Sequence, residues 1–235
     1  MRPFFAQKPL ASPPAGGITG HDAPQMLKTA PGATYASTFS LGNVTGVTAG
    51  ERIIVHLHAL GNSVALNPSL FAATLGGASL TRITQTGTTG NGAFPGSAIL
   101  ELVAGASGDL ALDVDLGLSC RSALAVIWRL AGSTGTAQQL APWSSSSSVT
   151  SQELPSGGMT VAAGSVVLAS SAAKTNDTLA MTGVDGYTAE AGTDSTKYNA
   201  VAWGWLESLS GGSVTPASSW TNAGRCTGLV LEVLA

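Results

Sequence analysis

The chain has 235 residues, of which only 10% are charged, and its formal net charge is −3. Its ten Lys and Arg residues are scattered, whereas a nucleic-acid-binding face requires clustered positive charge. No apolar run reaches the roughly 18 to 20 residues that span a bilayer. We therefore expect neither nucleic-acid binding nor membrane insertion, and the length suits one large all-β domain or two small ones.

Residues 1–40 differ in composition from the rest of the chain. Prolines recur among them and no apolar period is sustained, so the segment predicts neither a helix nor a central strand. A disordered tail is one interpretation; an extended arm that becomes ordered by packing on another subunit is the other, and we favour it. The residues that favour the arm are more apolar than a linker needs: Phe4, Phe5, Met26, Leu27 and Tyr35.

Strand patterns begin at Phe39. Residues 51–60 alternate, with aliphatic side chains on one face and His56 and His58 on the other. In 109–116 every even position is aliphatic and three odd positions are Asp, which predicts one buried and one solvated face. Further strands are predicted at 70–83 (two), 97–103, 123–130, 160–170, 178–181, 186–191, 200–206, 212–220 and 228–234.

The strand order is repeated along the chain. Val47-Thr48-Ala49-Gly50 matches Val161-Ala162-Ala163-Gly164, Ala73-Thr74-Leu75-Gly76 matches Ala180-Met181-Thr182-Gly183, and Arg121 matches Arg225. The offsets of 114, 107 and 104 fall steadily, as loop deletions in a duplicated unit would make them. We predict an all-β fold: one jelly-roll-like antiparallel β-sandwich of two quasi-repeated halves, 41–130 and 159–235, joined by a connector at 131–158, with 1–40 as the extended arm.

Few residues suit catalysis or metal binding. His56 and His58 share a strand face, a spacing that can serve a metal or, with an Asp, a hydrolase site; ordinary surface or interface histidines are the favoured alternative. Asp109, Asp113 and Asp115 offer oxygen ligands for calcium, but a solvated strand face is favoured. Two cysteines, at 120 and 226, are interpreted as separate buried thiols rather than as a disulfide. We expect no cofactor and no enzymatic activity.

Trp203 and Trp205 share one face of a predicted strand. Three interpretations are open: packing between sheets, an interface with another subunit, and a platform on which sugar rings stack. Core packing is favoured because Gly204 and alanines flank the two tryptophans.

The chain resembles a β-sandwich domain found in structural proteins of tailed bacteriophages and gene transfer agents. The resemblance rests on Leu75-Gly76-Gly77-Ala78-Ser79-Leu80-Thr81 and on the strands at 123–130, 161–170 and 227–234. It implies a virion component, such as a head decoration, a spike, or a peripheral tail or baseplate subunit, assembled in the bacterial cytoplasm. It carries over no catalytic residues.

The function expected from these patterns is that of a non-enzymatic virion structural protein. The arm would dock onto other virion proteins, the sandwich would form a homo-oligomer, and the loops at 84–97 and 191–199 would be the place for contact with a host-surface glycan. The alternative is a carbohydrate-binding module of a bacterial surface protein, which would present Trp203 and Trp205 to solvent.

Overall fold

The computed structural model describes residues 20–21, 24–29, 35–61, 66–87, 95–131, 137–140, 143–153, 157–175, 177–190, 200–208 and 210–234. These residues form antiparallel strands, and their one helical element is a 3-10 turn at Pro68–Leu70. The all-β antiparallel class is thereby confirmed, and the jelly-roll detail stays a prediction. Phe4 and Phe5 lie outside the described residues.

The strands divide between an N-terminal and a C-terminal group. The first group is β1 (Gly20–His21), β2 (Gln25–Lys28), β3 (Ala36–Val47), β4 (Arg52–Gly61), β5 (Ala72–Leu75), β6 (Ala78–Ser79), β7 (Thr81–Gly87), β8 (Pro95–Val103) and β9 (Gly108–Ala131). The second group is β10 (Ala137–Leu140), β11 (Trp143–Glu153), β12 (Met159–Val161), β13 (Ser165–Ala173), β14 (Ala180–Thr182), β15 (Asp185–Glu190), β16 (Ala200–Ser208), β17 (Gly212–Val214) and β18 (Ala217–Val233).

The first sheet is organised around β9, a strand of 24 residues. The N-terminal part of β9 pairs with β3 on one edge and β5 on the other, and its C-terminal part pairs with β4 on one edge and with β1 and β2 on the other. From β4 the sheet continues through β8 to β7. One long strand thus belongs to two sets of neighbours.

The second sheet repeats this pairing around β18. Strands β11 and β14 flank the N-terminal part of β18, β13 and β10 flank its C-terminal part, and the sheet continues from β13 through β16 to β15. Each strand from β2 to β9, apart from the short β6, therefore has an equivalent: β2 with β10, β3 with β11, β4 with β13, β5 with β14, β7 with β15, β8 with β16 and β9 with β18. The two halves suggested by the sequence repeat share one topology.

The central match of the sequence repeat is shifted by one residue in the structure. The sequence paired Thr74 with Met181, yet Met181 is buried in the second half while Thr74 is on the opposite face of its strand from the buried Ala73. Pairing with β9 and β18 aligns Met181 with Ala73 instead. A shift of one residue exchanges the two faces of a strand. The sequence similarity around Gly76 and Gly183 therefore assigned Met181 to the wrong face of β14.

Buried apolar side chains form three clusters. One lies within the first half and includes Leu57 and Val114, and a second lies within the second half and includes Val167 and Trp220. The third joins the halves: Ile54, Ile99, Leu124, Val126, Trp128 and Leu130 pack against Val166, Leu168, Val201, Trp203, Leu229, Leu231 and Val233. Each half thus packs apolar side chains within itself, and a further cluster packs the two halves against each other.

The boundary of the N-terminal arm differs from the sequence expectation. Residues 25–28 pair with Ile127, Val126, Ala125 and Leu124 of β9, and β3 already begins at Ala36. The side chain of Leu27 packs against the first-half cluster and that of Met26 against the cluster between the halves. The described part of the predicted arm is therefore an edge of the first sheet, and any arm is confined to 1–19, which lie outside the described residues.

Candidate functional site

The two tryptophans singled out in the sequence do not form an exposed platform. Trp203 is 4% exposed, and it packs in the cluster that joins the halves; Trp205 is half-buried against the same cluster. Trp128 of the first half belongs to this cluster as well. Of the three interpretations, packing between sheets is the one that matches these contacts.

His56 and His58 lie in a buried chain of hydrogen bonds between the two sheets. Nδ1 of His56 and Nε2 of His58 each lie 2.8 Å from Oγ of Ser170 on β13. Nδ1 of His58 lies 2.6 Å from Oγ of Ser97, which is 2.6 Å from Oγ1 of Thr227 on β18. All five side chains are fully buried, so the chain of hydrogen bonds links the first half to the second.

The environment of these histidines determines their chemistry. Burial lowers the pKa of His58 to about 3, and burial with the nearby His58 lowers the pKa of His56 well below its usual range. Their hydrogen-bond partners are hydroxyls, and the other face of His56 meets the Trp128 ring at 4.4 Å in an edge arrangement. Among the described residues neither histidine pairs with an Asp, and there is no metal-binding group of three His, Cys, Asp or Glu side chains.

The three aspartates of β9 are not gathered around one point. Asp109 accepts a hydrogen bond from the Gly46 amide at 2.9 Å, and Asp115 accepts one from the Gly117 amide at 2.9 Å. Both carboxylates thus stabilise local backbone, and the exposed faces of Asp113 and Asp115 match the favoured solvated strand. No calcium site is built from these residues.

The remaining residues singled out in the sequence lie apart from one another. Tyr35 is 43% exposed, and the Arg121 guanidinium lies 5.9 Å from its ring centroid. Cys120 packs in the first-half cluster and Cys226 in the second-half cluster, both as free thiols. The expectation of two separate buried thiols is confirmed. The loop residues 88–94 and 191–199 lie outside the described part of the chain.

Two grooves of about 440 Å³ occupy equivalent places in the two halves. Each lies over three neighbouring strands, β3, β9 and β5 in the first half and β11, β18 and β14 in the second. The first groove is lined by Thr38, Phe39, Ser40, Ala72, Ala73, Thr74, Ser79, Leu80, Asp113, Val114 and Asp115. The second groove is lined by Ser151, Gln152, Glu153, Thr182, Ala217, Ser218 and Ser219.

A buried polar cluster lies on the inner face of β11 and β18, opposite the exposed Ser151, Glu153 and Ser219. Nε2 of Gln152 donates to Oγ of Ser171, and Oγ of Ser218 donates to the same atom at 2.7 Å. Gln152, Ser171 and Ser218 are at most 4% exposed, and Oε1 of Gln152 has no hydrogen-bond partner. An unsatisfied buried acceptor costs about 1 to 3 kcal/mol, so this cluster lowers the stability of the fold.

The first half has apolar side chains at the same three places. The pairing registers align Gln152, Ser171 and Ser218 with Phe39, Leu57 and Val114, which belong to or pack against the first-half cluster. No motif in the sequence marks any of the three polar residues. The signal that could have found them is the repeat itself, because each is polar where its counterpart is apolar.

Comparison with protein-family models, with curated proteins and with solved structures gives no match for this chain. The described residues include no helix that is long and apolar enough to cross a membrane.

Proposed function

We propose that the protein is a non-enzymatic structural component of a virion, of the tailed-bacteriophage or gene-transfer-agent type that its sequence resembles. In this proposal the two halves form one rigid body. Residues 1–19 dock that body onto other virion proteins, and copies of the chain associate with one another. The jelly-roll-like description of the sandwich belongs to the same proposal.

The observation that carries the proposal is the burial of Trp203 between the halves. A carbohydrate-binding module that stacks sugars on this strand needs the Trp203 and Trp205 rings exposed, whereas a rigid structural body uses them as packing. The buried His56 and His58 support the same choice, because they link the two sheets through hydroxyls instead of facing a solvent-accessible carboxylate. A surface with few charges suits a subunit held by its neighbours.

The proposal is tested on particles from a strain that carries the natural gene. After induction of particle release, purified particles are analysed by mass spectrometry and labelled with gold-conjugated antibodies raised against the folded chain. We expect stoichiometric amounts of the chain in the particles and gold at one defined location. Particles that lack the chain while it accumulates elsewhere in the cell would refute a virion role.

The docking role of 1–19 needs a separate measurement. A chain that begins at residue 20 keeps every described strand, so it should fold like the full chain by circular dichroism. We expect the shortened chain to be absent from particles when it replaces the full chain. Incorporation at the normal level would rule out docking by this segment while leaving the virion role intact.

A further inference from the structure

Arg121 and Arg225 lie at the same end of the contact between the two halves. Arg121 comes shortly before Leu124, the first β9 residue in the cluster that joins the halves. Arg225 comes shortly before Thr227 of β18, whose Oγ1 lies 2.6 Å from Oγ of Ser97 in the first half. Ser97 and Leu124 belong to one row of paired residues, with a β4 residue between them. The two arginines therefore approach each other from opposite halves, although they are far apart in sequence.

Lys174 adds a third positive charge at this end of the contact. It directly follows β13, and its backbone amide donates to the carbonyl oxygen of Arg225 at 2.7 Å. Burial lowers the pKa of Lys174, and the positive charges of Arg121 and Arg225 lower it further, so the three side chains are close to one another. All three are half-buried. Together they form one cationic cluster, to which both halves contribute.

Folding alone does not explain this cationic cluster, because like charges on neighbouring strands destabilise a sheet. Other buried or half-buried arginines in the described chain are matched with acids. Arg52 pairs with Glu101 at 2.5 Å. Arg129 pairs with Glu51 at 3.0 Å. A sequence that departs from good electrostatics at one place is typical of a functional position.

The groups around the cationic cluster leave it positive. The Arg121 guanidinium lies 5.9 Å from the centroid of the Tyr35 ring, and a cation–π contact orients a guanidinium without cancelling its charge. Asp177 follows Lys174 closely in sequence, but its carboxylate accepts hydrogen bonds from the backbone amide of Asn222 and, at 2.7 Å, from the side-chain amide of the same residue. The charges that act on Lys174 are both positive. The cluster is therefore a place of positive potential where the two halves meet.

We propose that the cationic cluster of Arg121, Lys174 and Arg225 binds a phosphate group, either as free phosphate or as the end of a phosphate monoester. Guanidinium groups present forks of N–H donors that match phosphate oxygens, and an ammonium adds a compact charge. A terminal phosphate carries a charge of about −1.5 to −2 at pH 7, which suits several cations better than a carboxylate does. The site goes beyond the virion role and does not rest on it.

The test is a titration of the ¹⁵N-labelled full chain, followed by NMR at constant ionic strength. The probes are inorganic phosphate and glycerol 1-phosphate, and acetate is the comparison anion. We expect saturable shifts with both phosphates at the amides of Arg121, Lys174 and Arg225, and none with acetate. Equal affinity for the two phosphates would indicate that the site takes free phosphate, and tighter binding of the ester would indicate an organic monoester. Either result supports the phosphate site.

Matched variants assign the binding to the cationic cluster. Lys174→Gln removes one positive charge from the cluster, and Arg82→Gln removes one from an exposed position on β7. We expect Lys174→Gln to weaken phosphate binding by roughly tenfold, because a hydrogen bond to a charged group contributes about that much, and Arg82→Gln to retain it. Lys174→Arg keeps the charge and should retain most of the affinity. Arg225→Gln is the second variant if Lys174→Gln loses its dispersed spectrum.

Three results would overturn the phosphate site. They are the absence of saturable shifts with both phosphates, equal shifts with acetate, and an affinity that Lys174→Gln lowers no more than Arg82→Gln does. None of them bears on the presence of the chain in particles, so the phosphate site and the virion role fail or stand separately.

Discussion

At the scale of single residues, the decisive feature is that polar side chains lie where two sheets meet. Alternation along 51–60 correctly placed His56 and His58 on one strand face. The sequence interpreted that face as a surface or an interface, and the structure shows that β13 and β18 of the same chain cover it. A neutral imidazole suits the position of His58, whose two ring nitrogens contact the hydroxyls of Ser97 and Ser170, while His56 uses only Nδ1.

The buried histidines predict a loss of stability in acid. Their pKa values are lowered in the fold, to about 3 for His58, whereas an unfolded chain has His near 6.5. Both rings stay neutral in the fold, whereas those of the unfolded chain take up protons below about pH 6.5. Their contribution to the free energy of unfolding is therefore fully present above pH 6.5 and is lost as the pH falls from there toward 3. We expect the free energy of unfolding to fall by on the order of 1 to 3 kcal/mol per pH unit between pH 6 and 5.

Urea unfolding at a series of pH values measures this slope. His58→Gln, which keeps hydrogen-bonding groups but does not titrate, should reduce the slope by about half. A free energy of unfolding that is constant from pH 7 to 5 would contradict the assignment of these rings as buried and neutral.

The two thiols give a second prediction at this scale. Burial raises the pKa of both Cys120 and Cys226 to about 12, so neither forms appreciable thiolate at pH 8. We expect Ellman's reagent to modify neither thiol in the native chain and both after denaturation without a reductant. Rapid reaction of a native thiol would contradict the burial, and an absence of thiols in the denatured chain would indicate a disulfide.

At the scale of elements, β9 changes partners at a point that requires glycine. Gly117 has φ of +68°, and a Cβ built there would lie 2.7 Å from Cβ of Leu70. Its amide also donates to Asp115 at 2.9 Å. The backbone therefore bends here between the part of β9 that pairs with β5 and the part that pairs with β4. The strand passes from one set of neighbours to the next through this residue.

Gly117→Ala tests the importance of this bend. An alanine at this position must adopt a left-handed backbone conformation, which costs about 1 to 2 kcal/mol, and its Cβ would collide with Leu70. We therefore expect the free energy of unfolding to fall by roughly 2 to 4 kcal/mol. Gly105→Ala is the control, because a Cβ at Gly105 meets nothing within 4 Å. Equal stability for the two variants, measured in urea, would show that β9 bends without help from Gly117.

At the scale of the whole molecule, the halves are joined by apolar contacts and by hydrogen bonds. Thirteen buried residues form the cluster between them, and Ser170 and Thr227 of the second half bond to groups of the first. Residues 25–28 and the short β1 add further pairing to β9. An interface of this kind couples the stability of each half to that of the other.

We therefore expect the chain to unfold in one transition although its topology is duplicated. Circular dichroism reports on strands of both halves, and tryptophan fluorescence includes the signal of Trp128 and Trp203 between them. The two curves in urea should coincide. Leu231→Ala, in the cluster between the halves, should shift the single transition by about 2 to 5 kcal/mol. Two separate transitions, or a shift confined to one probe, would show that the halves unfold independently.

The sequence by itself determined the all-β class and most of the duplicated order of strands, but it assigned 131–158 to a connector, where the structure has β10 and β11. Both are recorded locally: alternation of period 2 marks each strand, as in 109–116, and glycines such as Gly50 and Gly164 mark equivalent turns. These signals need no knowledge of distant neighbours, and they were sufficient to show that the order of strands is repeated. They did not show which side chains of β14 are buried. The glycines after β5 and β14 match in sequence, but the pairing with β9 and β18 aligns Met181 with Ala73, one residue away from the sequence match.

Only the tertiary structure decided which faces are covered and what lies under each surface. Residues 25–28 read as part of an arm because their partner, β9, lies about 100 residues later in the chain. The burial of Trp203 and the hydrogen bonds from His56 to Ser170 likewise join residues far apart in sequence. Strand pairing also shows that three buried polar residues stand where the first half has apolar ones. They are Gln152, Ser171 and Ser218. Contacts between distant strands therefore decided the site, since no local pattern specifies what packs against a strand face.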